Sequence, residues 1–472
     1  MTVERLRATV ERLEAENAQL KAKIVELEAR LRQNSSNSSK PPSSDPPGAV
    51  PRRKKKTGKR RGGQPGHPKY ERELVPPEKV RKTEVVKPEY CRVCSHELDG
   101  EDPEPYRHQV FELPKIEPTV DEWQLHCLVC PRCRARTRAQ LPDGVPTGQF
   151  GPRIQAMVSV ASGAYRLSKR NVEEMFSDFF GVELSLGTIC NLQQDTSHAL
   201  AQPFAEARAH IQQERGSVSA DETSWLEAKK KAWLWIAISM TVAVFLIRPS
   251  RGAKVAVELL GEKFAGYLNS DRWVGYDWVD IARRQICWSH LDRHWESFVE
   301  LGGEAKRLGR ALQKQTDQMF HLWHRVRDGT LKRTSFRRYM RPIQRKVGLL
   351  LRRGEACSIP KVAGRCKRIL KLEVAMWTFV RVENIEPTNN RGERGVRHPV
   401  MWRKVSFGTD SENGSRFVER VLTAVVTLRL QHRNVLDYIT AACEAVLNGR
   451  PVPSLLSECA PFAAQPALAI AA

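Results

Sequence analysis

The stretch from Gly216 to Trp288 constrains the fold more than any other, because there the apolar pattern shortens to a period of two and to runs of strand length. Val218, Ala220 and Thr223 lead into Trp225, Ala232 to Ile238 follows, and then Val242 to Ile247, three consecutive strands of an antiparallel meander. A helix fits Gly252 to Leu260. Tyr267 to Asp271 is a short strand ending on an acid, and Gln285 to Trp288 is a fifth strand. The apolar run Ala232 to Ile247 is broken by Ser239 and Thr241 and falls short of the roughly 20 residues a spanning helix needs, so it reads as two strands and a turn. No membrane association is expected.

Three strands, helix, strand, helix, strand is the order of a ribonuclease H-like α/β core. In that fold the first strand lies beside the fourth, which brings Asp221 toward Asp271. Two converging carboxylates suit Mg²⁺ or Mn²⁺, hard cations held by oxygen. A third acid lets two ions sit about 4 Å apart, one activating an attacking oxygen and one stabilising the leaving oxygen of a phosphodiester. The candidate is Glu393, in Asn389-Asn-Arg-Gly-Glu-Arg394. A capping box with Asn390 and an i,i+4 pair with Arg397 account for the same glutamate by local helix stability alone. Asp221 and Asp271 have the competing explanations of a hairpin residue and a turn residue.

Upstream, Val3, Leu6, Val10, Leu13, Asn17, Leu20, Ile24, Leu27 and Leu31 step by alternating threes and fours. Leucine at every d position and one polar a residue, Asn17, predict a parallel homodimeric zipper; an amphipathic helix docked on its own protein is the alternative. The Ser/Asn/Pro-rich segment that follows cannot form a core and reads as a flexible linker. It runs into Arg52, Arg53, Lys54, Lys55, Lys56, Lys59, Arg60 and Arg61, a basic arm suited to DNA phosphates, or a solvated charge run. The whole chain agrees with a polyanionic partner: 77 Lys and Arg against 54 Asp and Glu give +23.

Cys91-x2-Cys94 and Cys130-x2-Cys133 supply four thiolates for a structural zinc, with Cys127 or His96 able to replace a ligand; free buried thiols are the alternative. Eleven cysteines, an odd number, and no secretory h-region point to a reducing, cytoplasmic and nucleoid-associated protein. Between Pro152 and Ser197 a helix, a turn with Gly181 and a second helix capped by Ser185 outline a helix-turn-helix, with Leu186, Ile189 and Leu192 facing inward.

Several motifs in one order then carry a resemblance: Asn34-Ser-Ser-Asn-Ser-Ser-Lys-Pro-Pro-Ser-Ser-Asp45, Gly62-Gly-Gln-Pro-Gly-His67, Val145-Pro-Thr-Gly-Gln-Phe-Gly-Pro152, Ser219-Ala-Asp-Glu-Thr223, Asn389 to Arg394, Arg403-Lys-Val-Ser-Phe-Gly-Thr409 and Gly414-Ser-Arg416. The chain resembles transposases of the insertion-sequence sixty-six family, the TnpC type, from end to end. The resemblance implies a zipper and basic N-terminal region, a zinc-binding segment, and a DDE triad that carries over to Asp221, Asp271 and Glu393. Cys287-x2-His290 is similar to a motif found after the second aspartate in several DDE transposases, although packing alone also explains it. One departure is Asp271-Arg272-Trp273, where the family more often has a glycine after the acid.

The 122 positions from Asp271 to Glu393 (393 − 271) are too many for one connection, so a helical, basic insertion is expected, with Arg337, Arg338 and Arg341 among the groups gripping DNA. The expected division is 1–33 coiled coil, 34–68 linker and basic arm, 69–149 zinc-binding domain and 150–215 helix-turn-helix-like region. The ribonuclease H-like core then occupies 216–300 and 386–450 around the insertion 301–385, and 451–472 is a flexible tail. The expected activity is metal-dependent cleavage at terminal inverted repeats and strand transfer into target double-stranded DNA. Higher oligomers on DNA and accessory proteins encoded beside it are further expected partners. The alternative is an inert DNA-binding repressor or architectural protein.

Overall fold

The computed structural model describes residues 3–31, 33, 34, 38, 39 and 72–456. The basic arm, Arg52, Arg53, Lys54, Lys55, Lys56, Lys59, Arg60 and Arg61, lies outside them, as do the Gly62–His67 motif and the tail from 457. The chain forms two compact units, Pro51–Pro118 and Met1–Val50 with Thr119–Ala472. In the smaller unit, the Gln109 amide donates to Val75 O at 2.9 Å and accepts the Val75 N–H at 2.8 Å.

The larger unit begins with helix α1 (Val3–Leu31), whose seam residues Val10, Leu13, Leu20, Ile24 and Leu27 are exposed in the single chain. A hairpin of β1 (Cys127–Val129) and β2 (Arg136–Arg138) follows. Helices α2 (Pro152–Gly163), α3 (Lys169–Phe180), α4 (Leu186–Ala199) and α5 (Ala201–Gln213) come next. Gly181 ends α3 in the left-handed region, and the Ser185 hydroxyl caps α4 by accepting the Thr188 N–H at 3.1 Å. Ile189 and Leu192 are buried as expected, but Leu186 is exposed. Helical side chains lean toward the N-terminus, so the first residue of α4 leans past the end of its packed face.

The sheet comprises β3 (Ser217–Glu227), β4 (Lys230–Ile238), β5 (Ala243–Arg248), β6 (Tyr267–Ser270) and β7 (Arg284–Ile286), in the order β5-β4-β3-β6-β7. β3, β4 and β5 are an antiparallel meander, while β6 joins β3 and β7 joins β6 in parallel. Leu234 to Ile238 are buried on both faces of the central strand, which explains why that run is continuously apolar rather than alternating. Helix α6 (Ala253–Leu260) crosses from β5 to β6.

The connection from β6 to β7 holds two short 3₁₀ turns, Val274–Tyr276 and Ile281–Arg283, where a helix was expected. It instead buries Tyr276 and packs Trp273 and Tyr276 with ring centroids 5.6 and 6.4 Å from that of Trp235. The fifth strand also ends earlier than expected. The Trp288 N–H leaves the ladder to donate to Pro387 O at 3.0 Å, so Cys287 caps helix α7 (Trp288–Glu300) instead of closing a strand.

Helices α8 (Gly303–Arg327), α9 (Arg333–Glu355) and α10 (Pro360–Leu370) with the short α11 (Thr378–Arg381) occupy the span between the acids. They share a second apolar core with α7, built on Trp288, Trp295, Phe298, Met319, Phe336 and Phe379.

The chain returns to the sheet as α12 (Asn390–Ser406), α13 (Glu412–Leu430) and α14 (Val435–Leu447). Helix α13 seals the β5 edge. The N–H groups of Ala243, Phe245 and Ile247 donate to Thr427 Oγ1, Thr423 Oγ1 and Glu419 Oε1, the first two at 3.0 and 3.1 Å. Buried edge amides are thereby satisfied without another strand. Among the described residues no helix is long and apolar enough to cross a membrane.

Candidate functional site

Asp221 sits in β3 opposite Ile236 of β4, and Asp271 directly follows the last residue of the neighbouring β6. The first strand does lie beside the fourth, so the two aspartates come from adjacent parallel strands. The Asp271 Oδ1 accepts the Trp273 N–H at 2.8 Å, which turns the chain away from the sheet there. Glu393 lies in the first turn of α12.

Two asparagines pin that helix to the strands carrying the aspartates. Asn389 Nδ2 donates to Ala220 O at 2.8 Å, and Asn269 Nδ2 donates to Glu386 O and Thr388 O, both at 2.9 Å. The three carboxylates consequently feel one another. Burial above all, then the charges of Glu222, Asp271 and Glu393, pushes Asp221 up to about 8.

Glu393 Oε1 stands 3.4 Å from His290 Nδ1 and 3.7 Å from Cys287 Sγ, and these three residues place one ligand atom each within 4.8 Å of one another. Cys287 is fully buried, receives the Asn389 N–H at 3.2 Å and is pushed up to about 11 by burial. His290 is held below its usual range by burial first and then by Arg293. Its buried Nδ1 has no hydrogen-bond partner.

Sequence patterning did not single out the brace on the other face of β3. Glu222, next to Asp221, points the opposite way, where Arg251 Nη2 and Nε donate to it at 2.6 and 2.9 Å and the Tyr276 hydroxyl at 2.9 Å. Arg251 is held over the Trp233 and Trp273 rings at 4.9 and 5.1 Å. The Arg403-to-Thr409 motif clasps the far end of β3. Thr409 N–H donates to Leu226 O at 2.9 Å, the Ala228 N–H to Thr409 O at 2.8 Å, and Arg403 Nη1 to Ser224 O at 2.6 Å. Gly408, at φ +124°, fits because a Cβ there would lie 2.1 Å from Leu226 O.

The remaining expected residues lie elsewhere. Cys91 and Cys130 each open a similar knuckle: Ser95 N–H donates to Cys91 O and Arg134 N–H to Cys130 O, both at 2.9 Å, with Ser95 and Arg134 at positive φ. Both thiols are lowered, chiefly by the N–H of Cys94 in the first case and of Cys133 in the second. In α9, Arg337 is spent on Val380 O and Arg381 O at 3.3 and 3.1 Å, while Arg338, over the Tyr339 ring, and Arg341 are exposed.

Comparison with known proteins follows the same outline. Residues 1–73 match a family of unknown function (DUF6444). An uncharacterized protein, y4qI, of Sinorhizobium fredii is 24% identical over 353 residues, covering 67% of this chain. The chain spans 62% of the length of that curated relative. The Transposase IS66 family matches residues 147–416, more than half of the chain, from the helices ahead of the sheet through α12 to the start of α13. That span contains Asp221, Asp271 and Glu393 with the asparagines that fasten them together, and the chain belongs to the IS66 transposase family.

Proposed function

We propose that this chain is a DDE transposase with a ribonuclease H-like core, cutting at the terminal inverted repeats of its element and joining the freed 3′ end to target DNA. The observation that carries the reading is that Asp221 and Asp271 stand on adjacent parallel strands and Glu393 on a helix pinned to both, near enough for the charges of Asp271 and Glu393 to help raise the Asp221 carboxyl. Oxygen donors, and the burial and crowded negative charge that raise the Asp221 carboxyl, suit divalent cations, Mg²⁺ or Mn²⁺, held by the three acids. Such ions, when bound, supply activation of the attacking oxygen and stabilisation of the leaving one. The chain's own residues do the positioning: Arg251 and Tyr276 fix Glu222 and with it the pleat that presents Asp221, while Asn389 and Asn269 fix the start of Glu393's helix.

Double-stranded DNA at element ends and target is the partner in this reading, gripped by the basic arm and by Arg338 and Arg341, with action at the nucleoid. Structural zinc draws its thiolates from Cys91, Cys94, Cys130 and Cys133. The α1 seam pairs with a second copy. Neighbouring accessory proteins complete the machinery.

The test is excision and joining in cells of a marker flanked by this gene's own bordering DNA, comparing the intact chain with Asp271→Asn at equal DNA occupancy. Joining by the intact chain alone is expected. If neither joins, even with the neighbouring genes supplied, the protein is an inert DNA binder and the reading fails.

A further inference from the structure

A cavity of about 280 Å³ opens beside the acid cluster, between α7 and α10. His290 belongs to both, lining the cavity while its Nδ1 stands 3.4 Å from Glu393. Arg293 of α7 and Lys361 and Arg365 of α10 line it with one acid, Glu300, whose carboxylate accepts the Ser39 N–H and hydroxyl. Two more cations stand behind this wall. Arg272 reaches His294 Nε2 with one nitrogen and has a buried Nε without a partner, and Arg368 is close enough to Arg365 and Arg272 to repel both.

Elsewhere in this unit several half-buried arginines are neutralised, Arg248 by Glu258 and Glu419, Arg251 by Glu222 and Arg416 by Glu419, and others, such as Arg333 and Arg420, are taken up by backbone carbonyls. Among the described residues Arg272, Arg293, Lys361, Arg365 and Arg368 have no ion pair with a carboxylate. Crowding cations in a concave, partly desolvated site costs free energy unless an anion completes it. Arginine in such a place suits phosphate oxygens, to which its fork donates two parallel hydrogen bonds.

We propose that this cavity is a phosphate-binding subsite that holds a backbone phosphate of the DNA strand whose neighbouring phosphodiester lies at Asp221, Asp271 and Glu393. The inference rests on the transposase reading and adds to it the path of the strand. It leaves the acid cluster past His290, and α10 of the insertion is one wall of the groove. The helical span between the acids thus takes part in the site.

The test uses the full chain and a labelled duplex carrying the element end, in buffer free of divalent ions, with affinity measured against salt. Each phosphate contact contributes about 0.9 to the slope of log K against log salt. Lys361→Gln is expected to lower the slope by part of that amount, and Lys361→Gln with Arg365→Gln by about 0.9 in all, with about 5- to 30-fold weaker binding at moderate salt. Arg365→Lys retains most of the slope. Lys367→Gln, on the same helix but outside the cavity, changes it little. Lys361 is exposed, so its variant reads the site without a folding defect.

An unchanged slope in both variants, or an equal loss in Lys367→Gln, overturns the subsite. Inorganic phosphate provides the other arm: raising the melting temperature of the parent chain but not of the double variant, with DNA affinity equal in both, it identifies a free-phosphate site and overturns the assignment to DNA. If the parent chain binds no DNA at all, the transposase reading itself falls, whereas DNA binding with an unaltered slope removes the subsite alone.

Discussion

Asn389 Nδ2 donates to Ala220 O at 2.8 Å, which ties the residue before Glu393's helix to the residue before Asp221 in β3. The bond sets where one acid stands relative to another across 169 residues of chain. Asn389→Ala should reduce joining at least about 10-fold, because displacements near 1 Å in a reacting constellation cost that much or more. DNA affinity should not change. Stability should fall by about 1 kcal/mol for the lost hydrogen bond. Joining at the parental rate would show that Glu393's position does not depend on the clip.

The proton on Asp221 gives a stability signature. Its folded value is raised from 3.8 to about 8, so its contribution to folding is complete below the unfolded value and is lost as pH rises through about 8. In divalent-free buffer Asp221→Asn should therefore melt higher than the parent near pH 9, by on the order of 1–3 kcal/mol, and the difference should vanish near pH 4. Thermal melts across that range are the measurement. A gap that widens toward low pH contradicts the raised value.

Gly408 should tolerate no side chain. Its φ of +124° and the 2.1 Å approach of a Cβ to Leu226 O predict that Gly408→Ala loosens the clasp on β3 at a cost of about 2–4 kcal/mol. Urea denaturation reads this as a lower midpoint with an unchanged slope. A midpoint equal to the parent's would mean that the loop relaxes freely.

The arginines of α9 divide into two roles. Arg337 donates to Val380 O and Arg381 O, so Arg337→Ala should lower stability by about 1–2 kcal/mol with little change in the salt dependence of DNA binding. Arg338→Ala with Arg341→Ala should do the reverse, reducing the slope of log K against log salt by one to two at unchanged stability. Parallel melting and binding titrations separate the cases. A slope unaffected by the pair makes them a solvated face.

The sheet was legible because strand periods, a glycine break and flanking turn residues are local signals: four strands stand close to where the pattern places them, and the fifth is present but ends early. Long-range hydrogen bonding is less legible. Cys287 falls at the head of a helix because Trp288 donates to Pro387, about a hundred residues on, and no local pattern announces that. The candidate acids were nameable from motif order. Their brace was not: Glu222 reads as an ordinary strand residue until Arg251 and Tyr276 are seen to close on it. Arg337 shows the same limit, since a basic run does not reveal which guanidinium the chain's own carbonyls consume.

The bonds between β5 and α13 also make a measuring device. Three amides two residues apart meet three side chains four residues apart, and two strand steps of about 3.3 Å nearly equal four helical steps of about 1.5 Å. The two repeats are commensurate, so the match either holds at all three rungs or fails at all three. Sliding the strand by one residue would turn every donor away from the helix, which makes this contact a register lock for the whole meander. That lock holds β4 and β3 in step as well, and so the height at which Asp221 is presented is counted out from the far edge of the sheet.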